Sequence, residues 1–264
     1  MSIDTGTVTE KDIKAEGDRA LTESVPSVLW VRRDSGVSPK VFDASDVPDG
    51  VPRPIAEALA ARGITGKDAV TDWFRPTLKT LKDPSVLTDM DRAVERLLKA
   101  REEQETIVLY ADYDLDGTSG LALALTAFQA LGFEKVVPHQ PQRLVEGYGL
   151  HSSSIQKLFD EHQCSLIVSI DLGITGNEEV EFARGLGIDV IVTDHHLPGL
   201  TLPAAVAVVN PNRGNCESGL SHLCGTGVMF YLVLALRRAL RADHFDPKSL
   251  LDCFAIGTIT DMVP

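Results

Sequence analysis

The hydrophobic positions of this chain follow two patterns, and the change between them falls near residue 105. From residue 51 to 105, apolar residues recur every three or four positions, which is the spacing of amphipathic helices. After residue 105, short continuous apolar runs alternate with longer segments of helical spacing. Continuous runs are typical of strands buried on both faces. We therefore predict an α/β fold, a mostly parallel five-stranded sheet with helices on both faces, preceded by a short helical leader.

The ends of the apolar runs give approximate bounds for these elements. The leader is predicted to hold a helix at 54–62 that ends at Gly63, a helix at 67–74 capped by Thr65, and a longer helix opening at Asp89. The predicted strands are 106–111, 135–139, 165–170, 189–193 and 205–209. The predicted helices around them are 119–131, 152–161, 177–185, 224–240 and 247–259.

The same patterns predict three segments along the chain. Residues 1–50 are expected to be poorly ordered, with little structure over 1–25 and an edge strand or hydrophobic anchor at 28–31. Residues 51–105 form the helical leader, and residues 106–264 form the domain that carries the chemistry. Because the chain stops directly after a predicted helix, we expect it to be a fragment with at least one further domain downstream.

Composition and charge exclude several classes of protein. The chain is 44% hydrophobic and 24% charged, as in an ordinary globular domain. Its N-terminus is polar, and no apolar run reaches the roughly 20 residues of a membrane span, so we expect no membrane partner and a cytoplasmic location. The 4 cysteines show no CxxC spacing, which favours reduced thiols over a zinc site. The net charge of −13 argues against indiscriminate nucleic-acid binding, although a local basic groove remains compatible with it.

Carboxylates and a histidine pair stand just past the ends of the predicted strands and of the last helix. The carboxyl ends of parallel strands meet at one crevice, so we expect these side chains to converge. So many carboxylates in a small volume would repel one another, and divalent cations are the usual solution. The residues concerned are Asp112, Asp114, Asp116, Asp171, Asp194, His195, His196 and Asp261.

The spacing within two of these clusters suggests roles for their members. Asp112, Asp114 and Asp116 alternate, and on an extended segment alternate residues share one side of the chain. An EF-hand is excluded because its twelfth position, a glutamate, is here occupied by a leucine. Adjacent residues of an extended chain point to opposite sides, so one of His195 and His196 is expected to ligate a metal. The other would face the substrate phosphate or a water, and the preceding aspartate would orient a ring.

Three further segments are candidates for phosphate contact. Residues 117–120 (GTSG) open a predicted helix, whose backbone N–H groups suit a phosphate, but plain capping by Thr118 or Ser119 explains them equally well. Residues 224–227 (CGTG), with Gly225, open another helix. In the loop at 141–150, Arg143 is a candidate for phosphate contact. Tyr148 of the same loop either stacks a base or packs beneath the loop.

Four motifs in this order resemble the DHH phosphoesterase superfamily: ADYDLDG (111–117), SIDLGIT (169–175), VTDHH (192–196) and GTITDMVP (257–264). EGYGL (146–150), CGTGV (224–228) and the leader are similar to its RecJ-type branch, so that the resemblance covers about residues 50–264. It implies His196 on the substrate side, Arg143 near the phosphate, and Tyr110 where many members have a histidine, which leaves open whether Asp112 is a ligand. The metal ligands that it implies are Asp114, Asp116, Asp171, His195 and Asp261.

The resemblance also implies an activity. It is the hydrolysis of phosphodiester bonds in single-stranded DNA from the 5′ end, with two divalent cations, Mn²⁺ or Mg²⁺, and release of 5′-mononucleotides in DNA repair and recombination. Single-stranded DNA is the implied partner, with a single-strand-binding protein or a helicase as candidate protein partners. The branch carries DHHA1 and oligonucleotide-binding domains downstream, which we do not expect within this sequence. The alternatives are a phosphodiesterase acting on nanoRNA, cyclic dinucleotides or pyrophosphate, and a non-catalytic replication scaffold of the same fold.

Overall fold

The computed structural model describes Pro48 and residues 50–263. The chain divides into two compact units, Met1–Thr80 and Leu81–Pro264. In the described part of the first unit, α1 spans Arg53–Ala60, α2 spans Lys67–Phe74 and a 3₁₀ turn spans Leu78–Thr80. The predictions for residues 1–25 and 28–31 lie outside the described residues.

The second unit alternates strands and helices as the apolar pattern predicts. A 3₁₀ turn at Pro84–Val86 precedes α3, and another at Pro247–Leu250 precedes α8. The strands are β1 (Ile107–Ala111), β2 (Val136–His139), β3 (Leu166–Ile170), β4 (Asp189–Thr193) and β5 (Ala207–Val209). The helices are α3 (Met90–Glu102), α4 (Leu115–Ala130), α5 (Ser152–His162), α6 (Asn177–Gly185), α7 (Gly225–Ala239) and α8 (Leu251–Thr260).

The five strands of the described residues form one parallel sheet in the order β2-β1-β3-β4-β5. This confirms the predicted fold class, and each observed strand lies within two residues of its predicted bounds. The chain leaves β1 toward β2 on one side and later places β3 on the other. In open parallel sheets such a reversal opens a crevice at the carboxyl ends of the strands on either side of it, here β1 and β3. Ligands bind in that crevice.

Strand β1 is buried on both faces, because successive residues face opposite sides of the sheet. Ile107 and Leu109 belong to the larger core, which is packed with α3, α4 and α7. Val108 and Tyr110 belong to a smaller core on the other face, together with residues of α5 and α6. The continuous apolar run of β1 therefore reflects two covered faces.

Two predicted helix starts and one predicted helix cap need correction. Helix α4 begins at Leu115 and not at 119, because the Asp114 carboxylate accepts from the Gly117 N–H at 2.9 Å and caps the helix. Helix α2 begins at Lys67 as predicted, but it is preceded by Gly66 at a φ of 88°, a conformation open to glycine, and no side chain, including that of Thr65, caps it. The last predicted helix is divided into a 3₁₀ turn and α8.

The described helices and cysteines bear on two expectations from composition. No helix in the described part of the chain is long and apolar enough to cross a membrane. Cys164, Cys216, Cys224 and Cys253 are free thiols. None of them belongs to a candidate metal-binding group among the described residues.

Candidate metal centre

The predicted site residues converge at the carboxyl ends of β1, β3 and β4. Asp112 directly follows β1, Asp171 directly follows β3, and His195 and His196 follow β4 after one intervening aspartate. Asp261 joins them from the C-terminal end of α8. The crevice at the sheet reversal thus collects carboxylates and imidazoles that are far apart in the sequence.

Asp171 lies at the centre of this cluster. Its side chain is buried, and its Oδ1 atom has no hydrogen-bond partner. His195 Nε2, which also has none, lies 3.2 Å from that oxygen. Burial, together with the nearby charges of Asp116 and Asp114, raises the pKa of Asp171 to about 10. Its φ of 63° is left-handed, an uncommon conformation for a residue with a Cβ and one that often marks functional positions.

Asp112 has the same character. Its carboxylate is buried, its Oδ1 has no hydrogen-bond partner, and burial raises its pKa to about 6. Buried polar atoms without partners are rare in folded proteins, and each calls for an explanation. Three such atoms meet here: Asp112 Oδ1, Asp171 Oδ1 and His195 Nε2. Their chemistry, carboxylate oxygens with one imidazole nitrogen, fits a divalent cation such as Mn²⁺ or Mg²⁺.

The N-terminus of α7 holds the third acid of the first motif. Asp116 accepts from the Gly225 N–H at 2.6 Å and from the Thr226 N–H at 2.9 Å, one bond to each carboxylate oxygen. The Thr226 hydroxyl also donates to the Asp116 carbonyl at 2.7 Å. Two of the free N–H groups at this helix end thus bind a carboxylate, an arrangement favoured by the helix dipole.

Two glycines allow this close approach. A Cβ on Gly225 would lie 2.5 Å from Asp171 Oδ1, and a Cβ on Gly257 of α8 would lie 2.6 Å from Asp116 Oδ1. Neither position has room for a side chain. The glycines of the CGTG and GTIT segments therefore bring α7 and α8 against the acids.

Asp194 shapes the histidine loop and is not itself in a candidate metal group of the described residues. Its Oδ1 accepts from the His195 N–H, the His196 N–H and His196 Nδ1, at 2.7, 3.0 and 2.8 Å. Its Oδ2 accepts from the Ile174 N–H at 2.9 Å. Burial alone would raise the pKa of Asp194, but these bonds outweigh burial and hold it below the usual range. The predicted orienting role of this aspartate is therefore seen at His196.

For an extended segment, we expected the rings of His195 and His196 on opposite sides of the chain. The structure shows that this prediction is wrong. The ring centroids are 4.5 Å apart. The reason is that β4 ends at Thr193, so the pair follows a turn built around the Asp194 carboxylate. The hydrogen bond to that carboxylate raises the pKa of His196.

Three groups of side chains are placed to hold a cation, with potential ligand atoms within 4.8 Å of one another in each. Asp171 and His195 each belong to two of the groups, so the groups are joined into one site. The groups are Asp112 with Asp114 and Asp171, Asp116 with His195 and Asp261, and Asp171 with His195 and His196.

The first motif reaches this arrangement by a route that its spacing did not predict. Asp112, Asp114 and Asp116 do not alternate along an extended segment, because α4 begins between the second and third of them. Asp114 caps the helix, and Asp116 lies in its first turn. The carboxylates converge because the chain turns, and the strand periodicity plays no part.

The predicted phosphate contacts are only partly available. The Gly225 N–H donates to the Asp116 carboxylate, so this N–H is not free for the phosphate contact predicted at CGTG. Ser119 is buried within α4, and Thr118 Oγ1 accepts from Gln140 Nε2 at 3.0 Å. Arg143 is exposed, and its guanidinium carbon lies 5.3 Å from the centre of the Tyr113 ring.

Sequence reasoning missed several residues that support the site. Asn210 and Asn212 follow β5, and their side-chain amides donate to the carbonyls of His196 and His195. The rule that selected Asp171, a polar residue just past a strand, would have found them. Thr226 lies within the CGTG segment, but the hydrogen bond from its hydroxyl to the Asp116 carbonyl depends on the packing of α7 against α4. The sequence gives no local signal for that bond.

The parallel sheet carries acids and a histidine pair at the point where its strand order reverses. This arrangement is that of an α/β protein with a candidate metal centre at the carboxyl ends of its strands. The family model described as DHH family, N-terminal domain, matches residues 106–258. The chain belongs to the DHH family.

Within that family the chain is similar to RecJ proteins. It is 38% identical over 234 residues to the single-stranded-DNA-specific exonuclease RecJ of Escherichia coli strain K12, which covers 85% of the chain. A crystal structure of exonuclease RecJ bound to manganese superposes with a TM-score of 0.60 at 35% identity, covering 67% of this chain and 44% of that one. The structure of RecJ in complex with Mn²⁺ from Thermus thermophilus superposes with a TM-score of 0.58 at 29% identity. The match covers 81% of this chain and 31% of that one. The chain spans about 40% of the length of the Escherichia coli relative.

Proposed function

We propose that this chain is the metal-dependent catalytic part of a single-stranded-DNA exonuclease. It would hydrolyse phosphodiester bonds from the 5′ end and release 5′-mononucleotides, in DNA repair and recombination within the cytoplasm. The observation that carries the proposal is the meeting of three buried ligand atoms without hydrogen-bond partners, on Asp112, Asp171 and His195. The similarity to RecJ proteins, two of them in complex with manganese, supports it.

The proposal assigns most of the site to holding two divalent cations, Mn²⁺ or Mg²⁺. When bound, such cations lower the pKa of water and offset the charge of a phosphate. Asp171 and His195 would be central to holding these cations, because each belongs to two candidate groups. The proposed ligands are Asp112, Asp114, Asp116, Asp171, His195 and Asp261.

The remaining polar groups are proposed to handle the substrate. His196 has 44% of its side chain exposed and has its Nδ1 committed to Asp194, so Nε2 is the atom left for a phosphate oxygen. Arg143 would contact a phosphate as a charged donor. Release of a 5′-mononucleotide breaks the bond between phosphorus and the 3′ oxygen.

We also propose the division of the chain into a leader at 51–105 and a catalytic domain from 106 onward. The start of the family match at residue 106 supports this boundary. The second compact unit begins at Leu81 and therefore contains both α3 and the sheet. The proposed leader, which ends at residue 105, would thus extend into the second unit. Limited proteolysis with mass spectrometry would locate the boundary.

Asp171→Ala tests the proposed activity. We expect the variant to fold, because the wild-type side chain makes no hydrogen bond through Oδ1, but to lose Mn²⁺ binding and cleavage. Asp243→Ala is the matched control, since that carboxylate is 93% exposed and belongs to no candidate metal group of the described residues. The measurements are Mn²⁺ titration by calorimetry and product length from a 5′-labelled single strand.

The outcomes separate the proposal from its alternatives. Mononucleotides released from the labelled end of the long strand support the exonuclease. Cleavage of a dinucleotide or of pyrophosphate without attack on the long strand would favour a small-substrate phosphodiesterase. Absence of Mn²⁺ binding would favour a scaffold, and Mn²⁺-dependent cleavage by Asp171→Ala would refute the assigned centre.

A further inference from the structure

The segment from residue 140 to 149, here called the strap, runs across the carboxyl end of the sheet between β2 and α5. At its start, Gln140 Nε2 donates to the Asp112 carbonyl at 2.7 Å. Near its middle, Arg143 lies over the ring of Tyr113. At its far end, Tyr148 reaches the residues that follow β3 and β4. The strap therefore contacts the chain after three different strands of the site.

Glu146 gives the strap a defined shape. Its Oε2 accepts from the Gln142 N–H at 2.7 Å, and its Oε1 accepts from the Ser154 hydroxyl. The Val145 N–H donates to the Gln142 carbonyl at 2.9 Å, which closes a turn within the strap. The positions of Arg143 and Tyr148 are thus linked through a folded loop.

The Tyr148 hydroxyl joins two residues of the site. It donates to the Asp171 carbonyl at 3.4 Å and lies 3.2 Å from His196 Nδ1. A carboxylate only accepts, so the 2.8 Å contact with Asp194 requires that His196 Nδ1 carry a proton. The Tyr148 oxygen then accepts a share of that N–H while its own proton bonds Asp171. The Tyr148 hydroxyl thus bonds the backbone of Asp171, whose φ of 63° is left-handed.

We propose that Tyr148 is a positioning residue for the reaction. Its hydroxyl fixes the His196 ring against the backbone of Asp171 and anchors the far end of the strap, so that His196 and the strap that carries Arg143 keep their positions at the proposed site. The proposal rests on the proposed function for its catalytic consequence. Its structural part, that the hydroxyl anchors the strap, stands without it.

Tyr148→Phe tests this inference because it removes the hydroxyl and keeps the ring beside His196. Loss of a hydrogen bond of ordinary strength predicts a fall in kcat of about three- to tenfold. KM and Mn²⁺ affinity should change less than about twofold, since the hydroxyl contacts Asp171 at its backbone carbonyl and touches no proposed ligand atom. In the metal-free protein, amide hydrogen exchange over 141–149 should rise by a similar factor.

Tyr231→Phe is the control, because Tyr231 is a buried tyrosine of α7 outside the site. It should leave kcat and strap exchange unchanged. A double-mutant cycle with Arg143→Ala adds a second measurement. If the strap acts as one unit, the two changes together should cost less than the product of their separate effects.

Wild-type kcat and unchanged strap exchange in Tyr148→Phe would overturn the inference, as would an equal loss in Tyr231→Phe. A wild-type chain that cleaves no single strand would instead overturn the proposed function. The exchange measurement then still decides whether Tyr148 anchors the strap, so the two failures are distinguishable.

Discussion

Gly225→Ala tests whether the close approach of α7 builds the metal centre. The added Cβ would lie 2.5 Å from both Cβ and Oδ1 of Asp171, where ordinary contact begins at 3.4 Å. Asp171 is short and buried, so it has no flexible end that can move away. Relief requires a shift of about 1 Å in either the α7 N-terminus or Asp171. Either movement disturbs a proposed ligand, because the Gly225 N–H also binds Asp116.

The magnitude follows from that displacement. Overpacking of this kind costs about 1–3 kcal/mol of stability. Misplacement of a catalytic group by 1 Å costs on the order of 10²-fold in rate. We therefore expect kcat/KM to fall by about 100-fold and Mn²⁺ affinity by about tenfold or more, while the protein remains folded.

The assay combines Mn²⁺ calorimetry, cleavage of a labelled single strand and urea unfolding. Gly185→Ala of α6 is the matched control, because nothing lies within 4 Å of the Cβ that it adds. It should leave activity unchanged and alter stability by no more than about 1 kcal/mol. Wild-type Mn²⁺ affinity and cleavage in Gly225→Ala would refute the reasoning.

Two further predictions concern charge. Burial raises the pKa of Asp171 from 3.8 to about 10, so the metal-free fold keeps a proton that the unfolded chain releases, and its stability falls as pH rises between those values. Asp171→Asn should flatten that fall and stabilise the metal-free protein at pH 8 by at least about 1 kcal/mol in urea unfolding, and an unchanged pH dependence would contradict this. Arg213 is buried and donates to the Asp89 carboxylate at 2.7 Å, so Arg213→Ala should cost about 3 kcal/mol, because that carboxylate keeps only the exposed Arg92, at 3.4 Å, as a charged partner. Arg184→Ala, which breaks an exposed pair with Glu181, should cost under about 1 kcal/mol, and equal losses in the two variants would count against the argument.

The strands were predictable because burial on both faces leaves a continuous apolar run. In β1 the residues alternate between two cores, and no polar position interrupts them. The start of α4 was not predictable from the same pattern. Nothing in the sequence marks an aspartate as a helix cap, and only the 2.9 Å bond from the Gly117 N–H shows that Asp114, a member of a candidate metal group, also caps α4.

The sequence by itself determined the sheet, its helices and the set of acids and histidines at the strand ends, because strand periodicity and strand termini are local properties. Tertiary structure alone decided how those side chains are held. Asp116 is bound by the N–H groups of residues more than 100 positions later, and the room for that contact depends on glycines of two other helices. Tyr148 likewise reaches His196 only because the strap folds back across the sheet. Such contacts join segments whose separation along the chain carries no local signal, and packing of the whole domain brings them within hydrogen-bond distance.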